Sequence, residues 1–239
     1  MALSLSQIKA VVERRKLHMK REEKSKKWVL SLEEKSEYRF SALGAGTGKH
    51  VFRVHDGTSD LNWVFCFATF PGNKNTEQDI KAEMEILLRL GKEDVVVPSP
   101  FRKGEEGMAG FVEFKLDNPD ADFNGTTYGF FLEYLDLDKR YVEMVKKGAD
   151  KNARGKWLQQ TIDANMISKQ NINTTKRSFQ KIRSAWLTKQ WGDFQTVYDR
   201  TTGALMVIDP NNDTTSKDVT EFILEQWKIY LDTVGEVSL

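Results

Sequence analysis

Leu43-Gly44-Ala45-Gly46-Thr47-Gly48-Lys49-His50-Val51 is the stretch on which the fold of this chain turns, because extended segments lie on both sides of it. Residues 36–43, 49–55 and 62–70 are short, rich in Val, Phe and Trp, and separated by Gly44–Gly48 and Asp56–Asp60. That pattern predicts three strands joined as hairpins. Glycines between two strands let backbone groups approach a polyphosphate, since no side chain intervenes and unusual dihedrals are tolerated. The same residues also suit an ordinary flexible turn, and the residues alone leave both readings open. A P-loop is excluded because His50 follows Gly48-Lys49 where Ser or Thr is needed. A dinucleotide-binding fold would continue into a helix, whereas a strand follows here.

Working outward, Pro71-Gly72-Asn73 stops the third strand, and residues 76–90 carry Ile80, Met84, Leu87 and Leu88 at helical spacing. Thr76 is placed to cap that helix and Gly91 to end it. Two further strands are expected near 109–116 and 127–135. Beyond residue 136 the texture turns helical, with helices expected at 137–147, 153–169 and 174–190. A short hairpin at 194–198 and 204–209 follows, then a docked helix over 216–234. At the other end, Leu5, Ile8, Val12 and Met19 predict a basic helix over roughly 4–27.

The chain has 239 residues, 39% of them hydrophobic and 11% aromatic, which is enough for a real core. A net charge of +1 gives no global field for nucleic acid or an anionic membrane. Locally, residues 1–27 hold Lys9, Arg14, Arg15, Lys16, Lys20, Arg21, Lys24, Lys26 and Lys27 against Glu13, Glu22 and Glu23. That segment is a candidate for contact with an acidic partner. Cys66 is the single cysteine, so no internal disulfide can form. No secretory leader, membrane span or repeat is legible. The expectation is a cytoplasmic protein, or one carried into a host or target cell without a signal peptide.

Two stretches carry carboxylates in suggestive places: Trp191-Gly192-Asp193-Phe194-Gln195 after a helix, and Ile208-Asp209-Pro210 at a strand end. Carboxylates at the ends of adjacent short strands can orient a nucleophile and hold a divalent cation. Each can equally cap a turn.

The order of these parts resembles the protein-kinase-like superfamily: glycine-rich hairpin, third strand, helix with a glutamate, hinge, catalytic aspartate, metal aspartate. The resemblance implies an α+β, two-lobed fold with an antiparallel N-lobe sheet plus one helix, and a small, mainly helical C-lobe. The divisions would be a basic segment 1–30, an N-lobe 31–135 and a C-lobe 136–239. It implies ATP and Mg2+ as cofactors, with Gly44, Gly46 and Gly48 around the phosphates and Glu133 to Leu135 as the hinge for adenine. Asp193 would be the catalytic residue, in a loop similar to H-G-D with Trp191 in place of His. Asp209 would hold magnesium, with Gln195 or Asp199 as second ligand, since Tyr198 stands where kinases place Asn. Glu83 or Glu85 would be the ion-pairing glutamate. Cys66 occupies the third-strand position of the usual lysine, which resembles the with-no-lysine kinases, and Lys49 is then the substitute, with Lys74 in reserve. The short C-terminal part resembles minimal bacterial effector kinases. The function implied is phosphoryl transfer to a protein hydroxyl; the alternative is a pseudokinase-like module working through protein contacts, with nucleic acid disfavoured.

Overall fold

The computed structural model describes residues 4–23, 27–33, 38–45, 48–56, 59–137, 139–145, 156, 167, 170–189, 191–192, 194–211 and 217–236. The chain divides into two compact units, 1–84 with 104–134, and 85–103 with 135–239.

The first unit is a closed seven-strand barrel rather than an open sheet. Its strands are β1 (Lys16–Arg21), β2 (Trp28–Leu32), β3 (Tyr38–Ala45), β4 (Lys49–Asp56), β5 (Ser59–Ala68), β6 (Val112–Asn118) and β7 (Phe123–Glu133), in the order β1-β2-β3-β4-β5-β7-β6. All neighbours are antiparallel except β1 and β6, which run parallel with Leu17 opposite Leu116. The expected two-lobed kinase-like fold with an open antiparallel N-lobe sheet is therefore overturned. Its cause lies in the segment read as a basic helix. The helix α1 (Leu5–Arg14) is short, and buries Leu5, Ile8 and Val12 along one stripe. After it, Leu17 and Met19 sit two apart and both point inward, which is the period of a strand. Strands β1 and β2 then bridge β3 to β6 and remove both sheet edges.

Alternation along the strands fills the barrel with aromatic rings. Phe65 stacks on Phe131 at 4.7 Å between centroids and meets Phe114 edge-on at 5.1 Å. Phe52 lies parallel to Phe67 at 5.7 Å. Burying each such ring contributes about 1.5–3 kcal/mol. Gly129 makes this possible, since a Cβ there would sit 2.7 Å from the Phe65 ring and from the Cys66 carbonyl oxygen. Leu5, Ile8 and Val12 of α1 join the same core.

Helix α2 (Lys74–Lys92) contributes its first part to this unit and its remainder to the second. Gly91 does not end it: the residue is helical, and the Phe101 carbonyl oxygen lies only 1.8 Å from where a Cβ would stand. Asp94, at φ 59°, turns the chain away instead.

The second unit holds an antiparallel sheet of β8 (Tyr141–Val145), β9 (Gln195–Asp199) and β10 (Leu205–Ile208), with β9 in the middle. Helices α3 (Ile172–Lys189) and α4 (Lys217–Glu236) pack together, α3 also on β10, and Phe179 meets Trp227 at 6.4 Å. A helix was expected over 137–147; Tyr141, Val142 and Met144 are instead buried in a strand. The helix expected at 153–169 falls almost wholly outside the described residues.

Candidate functional site

In the first unit the site is built on the β3–β4 hairpin and α2. A bulge between Ala42 and Gly44 shifts the register, pairing Gly44 with Val51. Gly46 lies outside the described residues. Gly48 has no atom within 4 Å of the position a Cβ would take, and its carbonyl accepts from the Thr69 N–H at 3.1 Å. Inward alternation of His50, Phe52 and Val54 turns Lys49, Val51 and Arg53 to the opposite face of β4. There Lys49 Nζ donates to Glu83 Oε1 at 2.5 Å, with side chains 17% and 6% exposed. Glu83 is thus the ion-pairing glutamate of α2, and Glu85 is exposed.

Helix α2 is held so that this pair forms. Glu77 accepts from Thr127 Oγ1 and from the Gly72 N–H, each at 3.1 Å, and Lys81 lies over the Tyr128 ring at 4.8 Å. Cys66 pairs with Val51 across the ladder and is buried, so the third strand supplies no cation at that position. Lys74, the reserve candidate, is exposed at the start of α2. Glu133 ends β7 opposite Trp63, and the boundary between the two units falls just after Tyr134, placing Leu135 with the second. The Tyr134 N–H donates to the Asn62 carbonyl at 2.9 Å, and Arg53 stacks over its ring at 3.8 Å.

In the second unit, Gln195 opens β9 directly opposite Ile208, the last residue of β10. Asp209 follows at φ 50°, a left-handed conformation that Asp and Asn tolerate better than other side chains, and is half-buried. The Gly192 N–H donates to the Asn211 carbonyl at 2.7 Å, and Thr220 Oγ1 donates to the Gly192 carbonyl at 3.2 Å. The segments carrying the two sequence motifs are therefore tied together beside the β9–β10 ladder. Asp193 itself lies outside the described residues. Trp191 is a core residue: it is 2% exposed, meets Phe194 at 5.7 Å, and its carbonyl accepts from Trp186 Nε1.

Asp199 does not have the setting of a metal ligand. Arg140 grips its carboxylate with Nε at 3.2 Å and Nη2 at 2.8 Å, and the Thr201 N–H adds a bond at 2.9 Å. Burial alone would raise its pKa, but the Arg140 hydrogen bond, the Thr201 and Thr202 contacts and the guanidinium charge outweigh that and hold it low. Tyr198, where kinases place Asn, is buried in β9. Among the candidates for a second ligand, Gln195 alone keeps a side chain only partly buried at this ladder end.

Sequence reasoning did not find Arg140. Its signal is weak, since the partner stands 59 residues away and the neighbouring strand β8 reads as helix. Lys49 and Gln195 lie in different units, and each is described by the contacts within its own unit. No protein-family model matches the chain, and no curated protein matches it either.

Proposed function

We propose that the chain is an ATP- and Mg2+-dependent phosphotransferase acting on a protein hydroxyl, a minimal protein kinase by activity. The observation that carries this reading is the buried Lys49–Glu83 pair, formed between a glycine-rich hairpin and a helix. A lysine fixed by a glutamate is a recurring device for neutralising nucleotide phosphates.

In this reading each unit supplies part of what the nucleotide and its ion need. Gly48 puts no side chain in the way of phosphate oxygens, and Lys49 supplies the charge that Cys66 does not. Asp209, with Gln195 beside it on the ladder, would hold magnesium through oxygen atoms, the donor that ion prefers. When bound, magnesium neutralises charge on the transferring phosphoryl group. Asp193 orients the acceptor hydroxyl and takes its proton as the oxygen–phosphorus bond forms. The bond to the bridging oxygen breaks, and ADP leaves with that electron pair.

The test is incubation of the full chain with γ-labelled ATP, Mg2+ and a cell extract, run beside Asp209→Asn. Asparagine accepts the same left-handed backbone, so the variant removes charge and leaves the fold. Label on protein with the native chain, and none with the variant, is expected. Equal labelling by both ends the assignment. If neither labels but ATP with Mg2+ raises the melting temperature, the chain binds nucleotide without passing on its γ-phosphate, and α-labelled ATP then tests transfer of a nucleotide monophosphate; no shift and no label favour a module working through protein contacts.

A further inference from the structure

Charge is balanced over the whole chain, at +1, but not over helix α3. That helix carries Lys176, Arg177, Lys181, Arg183 and Lys189, with no Asp or Glu in its 18 residues. Several of the amino-terminal cations are different, because the barrel uses them. Lys9 donates to the Met108 carbonyl at 2.9 Å, Lys16 lies 3.8 Å from Asp117, and Arg15, Arg21 and Lys27 are also engaged. On α3, Arg183 pairs with Glu225 of α4 at 3.3 Å and the charge of Lys181 reaches Asp94, while Lys176 and Arg177 form no ion pair among the described residues.

Helical spacing aligns Arg177, Lys181, Ser184 and Thr188 along one outward stripe. This stripe lines a shallow groove of about 450 Å³, with Glu93 on the other wall. A second groove, of about 300 Å³, adjoins it across Gln180 and Ser184 and runs between α3 and α4. Leu187, 57% exposed, stands in that second groove above Phe179 and Leu231, with Lys228 and Asp232 at its side.

We propose that this face of α3 is a docking surface for an acidic, leucine-bearing segment of a partner protein. Cations at i and i+4 call for carboxylates at the matching spacing, and the exposed Leu187 in the adjoining groove calls for an apolar side chain beyond them. A nucleic-acid backbone fits less well. Its unbroken negative charge would run past Glu93 and Asp232, and it has nothing to place on Leu187. The surface does not depend on phosphoryl transfer, so it stands whether or not the chain is a kinase.

The measurement is fluorescence anisotropy with the full chain and three labelled probes: a peptide with Glu and Leu at helical spacing, its Gln/Leu counterpart, and oligouridine. The Glu/Leu peptide should bind, and more weakly as salt rises from about 50 to about 200 mM, where screening shortens the reach of charge. Arg177→Glu with Lys181→Glu should weaken it by about tenfold or more, and Leu187→Ser by a smaller factor. The milder Arg177→Gln with Lys181→Gln guards against a folding defect, and Lys20→Glu in β1 should change nothing. Peptide affinity indifferent to the α3 reversal overturns the proposal, as does absence of binding. Tighter binding of oligouridine with the same dependence on Arg177 and Lys181 replaces it with a nucleic-acid surface.

Discussion

Two carboxylates are buried to nearly the same depth in this chain, Glu83 in the barrel unit at 5% exposure and Asp199 in the second unit at 4%. Both face a cation, but the surroundings differ. Asp199 is held by both arms of a guanidinium and by the backbone of its own turn, so its oxygens are committed to holding β8 and β9 in register. Glu83 meets the Lys49 ammonium group on a long stem, one residue past Gly48, where no atom lies within 4 Å of a Cβ position. A lysine is a compact charge on a flexible chain that can serve a second anion without losing its first. Equal depth of burial therefore does not make the two pairs alike: one carboxylate is fixed by a planar fork and its own turn, the other by an ammonium on a flexible stem.

The largest expected effect breaks the pair at the hairpin. Lys49→Met should reduce phosphoryl transfer by about two to three orders of magnitude, as loss of a charge aimed at the reacting group does elsewhere. It should also cost about 3 kcal/mol of stability, because Glu83 stays buried without its lysine. The two losses can be separated. Lys49→Met with Glu83→Met replaces both charges by apolar groups, and should recover most of the stability in urea unfolding while transfer stays lost. Recovery of transfer in the double variant would reduce Lys49 to a structural role.

Arg140→Met is the sharpening counterpart. It should cost about 2 kcal/mol, less than a fully buried pair because Arg140 is itself 48% exposed and Asp199 keeps the Thr201 N–H. Transfer per folded molecule should not change. A drop in rate at saturating ATP with unchanged melting temperature would mean that Asp199 belongs to the chemistry after all.

These pairs were not equally legible in the sequence. Lys49 and Glu83 stand out because the order of parts around them resembles a known plan, and Cys66 makes a substitute cation necessary. Asp199 reads as one more turn residue, since nothing local connects it to Arg140. The same division runs through the fold. Strands β3, β4 and β5 are adjacent in sequence and pair as hairpins, so local alternation and glycine breaks locate them within a few residues. Barrel closure is different: β1 meets β6 about a hundred residues away, through Lys16 opposite Lys115. Leu17 and Met19 offer only two alternating positions among cations, and Met19 also fits the helical spacing set by Ile8 and Val12. A short run that satisfies both periods is decided by its distant partner, which propensity does not encode. Tyr141–Val145 misled in the same way, its strand character depending on β9.

Acid separates the two units by a smaller margin. His50, next to Lys49 but on the inward face of β4, packs against Trp28 at 5.1 Å and Phe67 at 5.4 Å. Burial pushes its pKa below the ordinary 6.5, a backbone hydrogen bond at Thr69 offsetting part of the shift. The unfolded chain therefore takes up this proton at higher pH than the folded barrel, and stability falls as pH drops from about 6.5 toward the folded value, then levels. Asp199 acts lower down: its contribution is whole above about 3.8 and is lost as pH falls through its depressed folded value. Urea unfolding followed across this range should show the first decline in the native chain and not in His50→Phe, which keeps a ring against Trp28 but cannot charge. In Arg140→Met the decline that begins near 6.5 should remain and the one that begins near 3.8 should shrink. A His50→Phe profile that matches the native chain would mean the imidazole takes its proton inside the folded barrel as readily as in water, which a ring packed among Trp28, Phe52 and Phe67 cannot do without opening the hairpin.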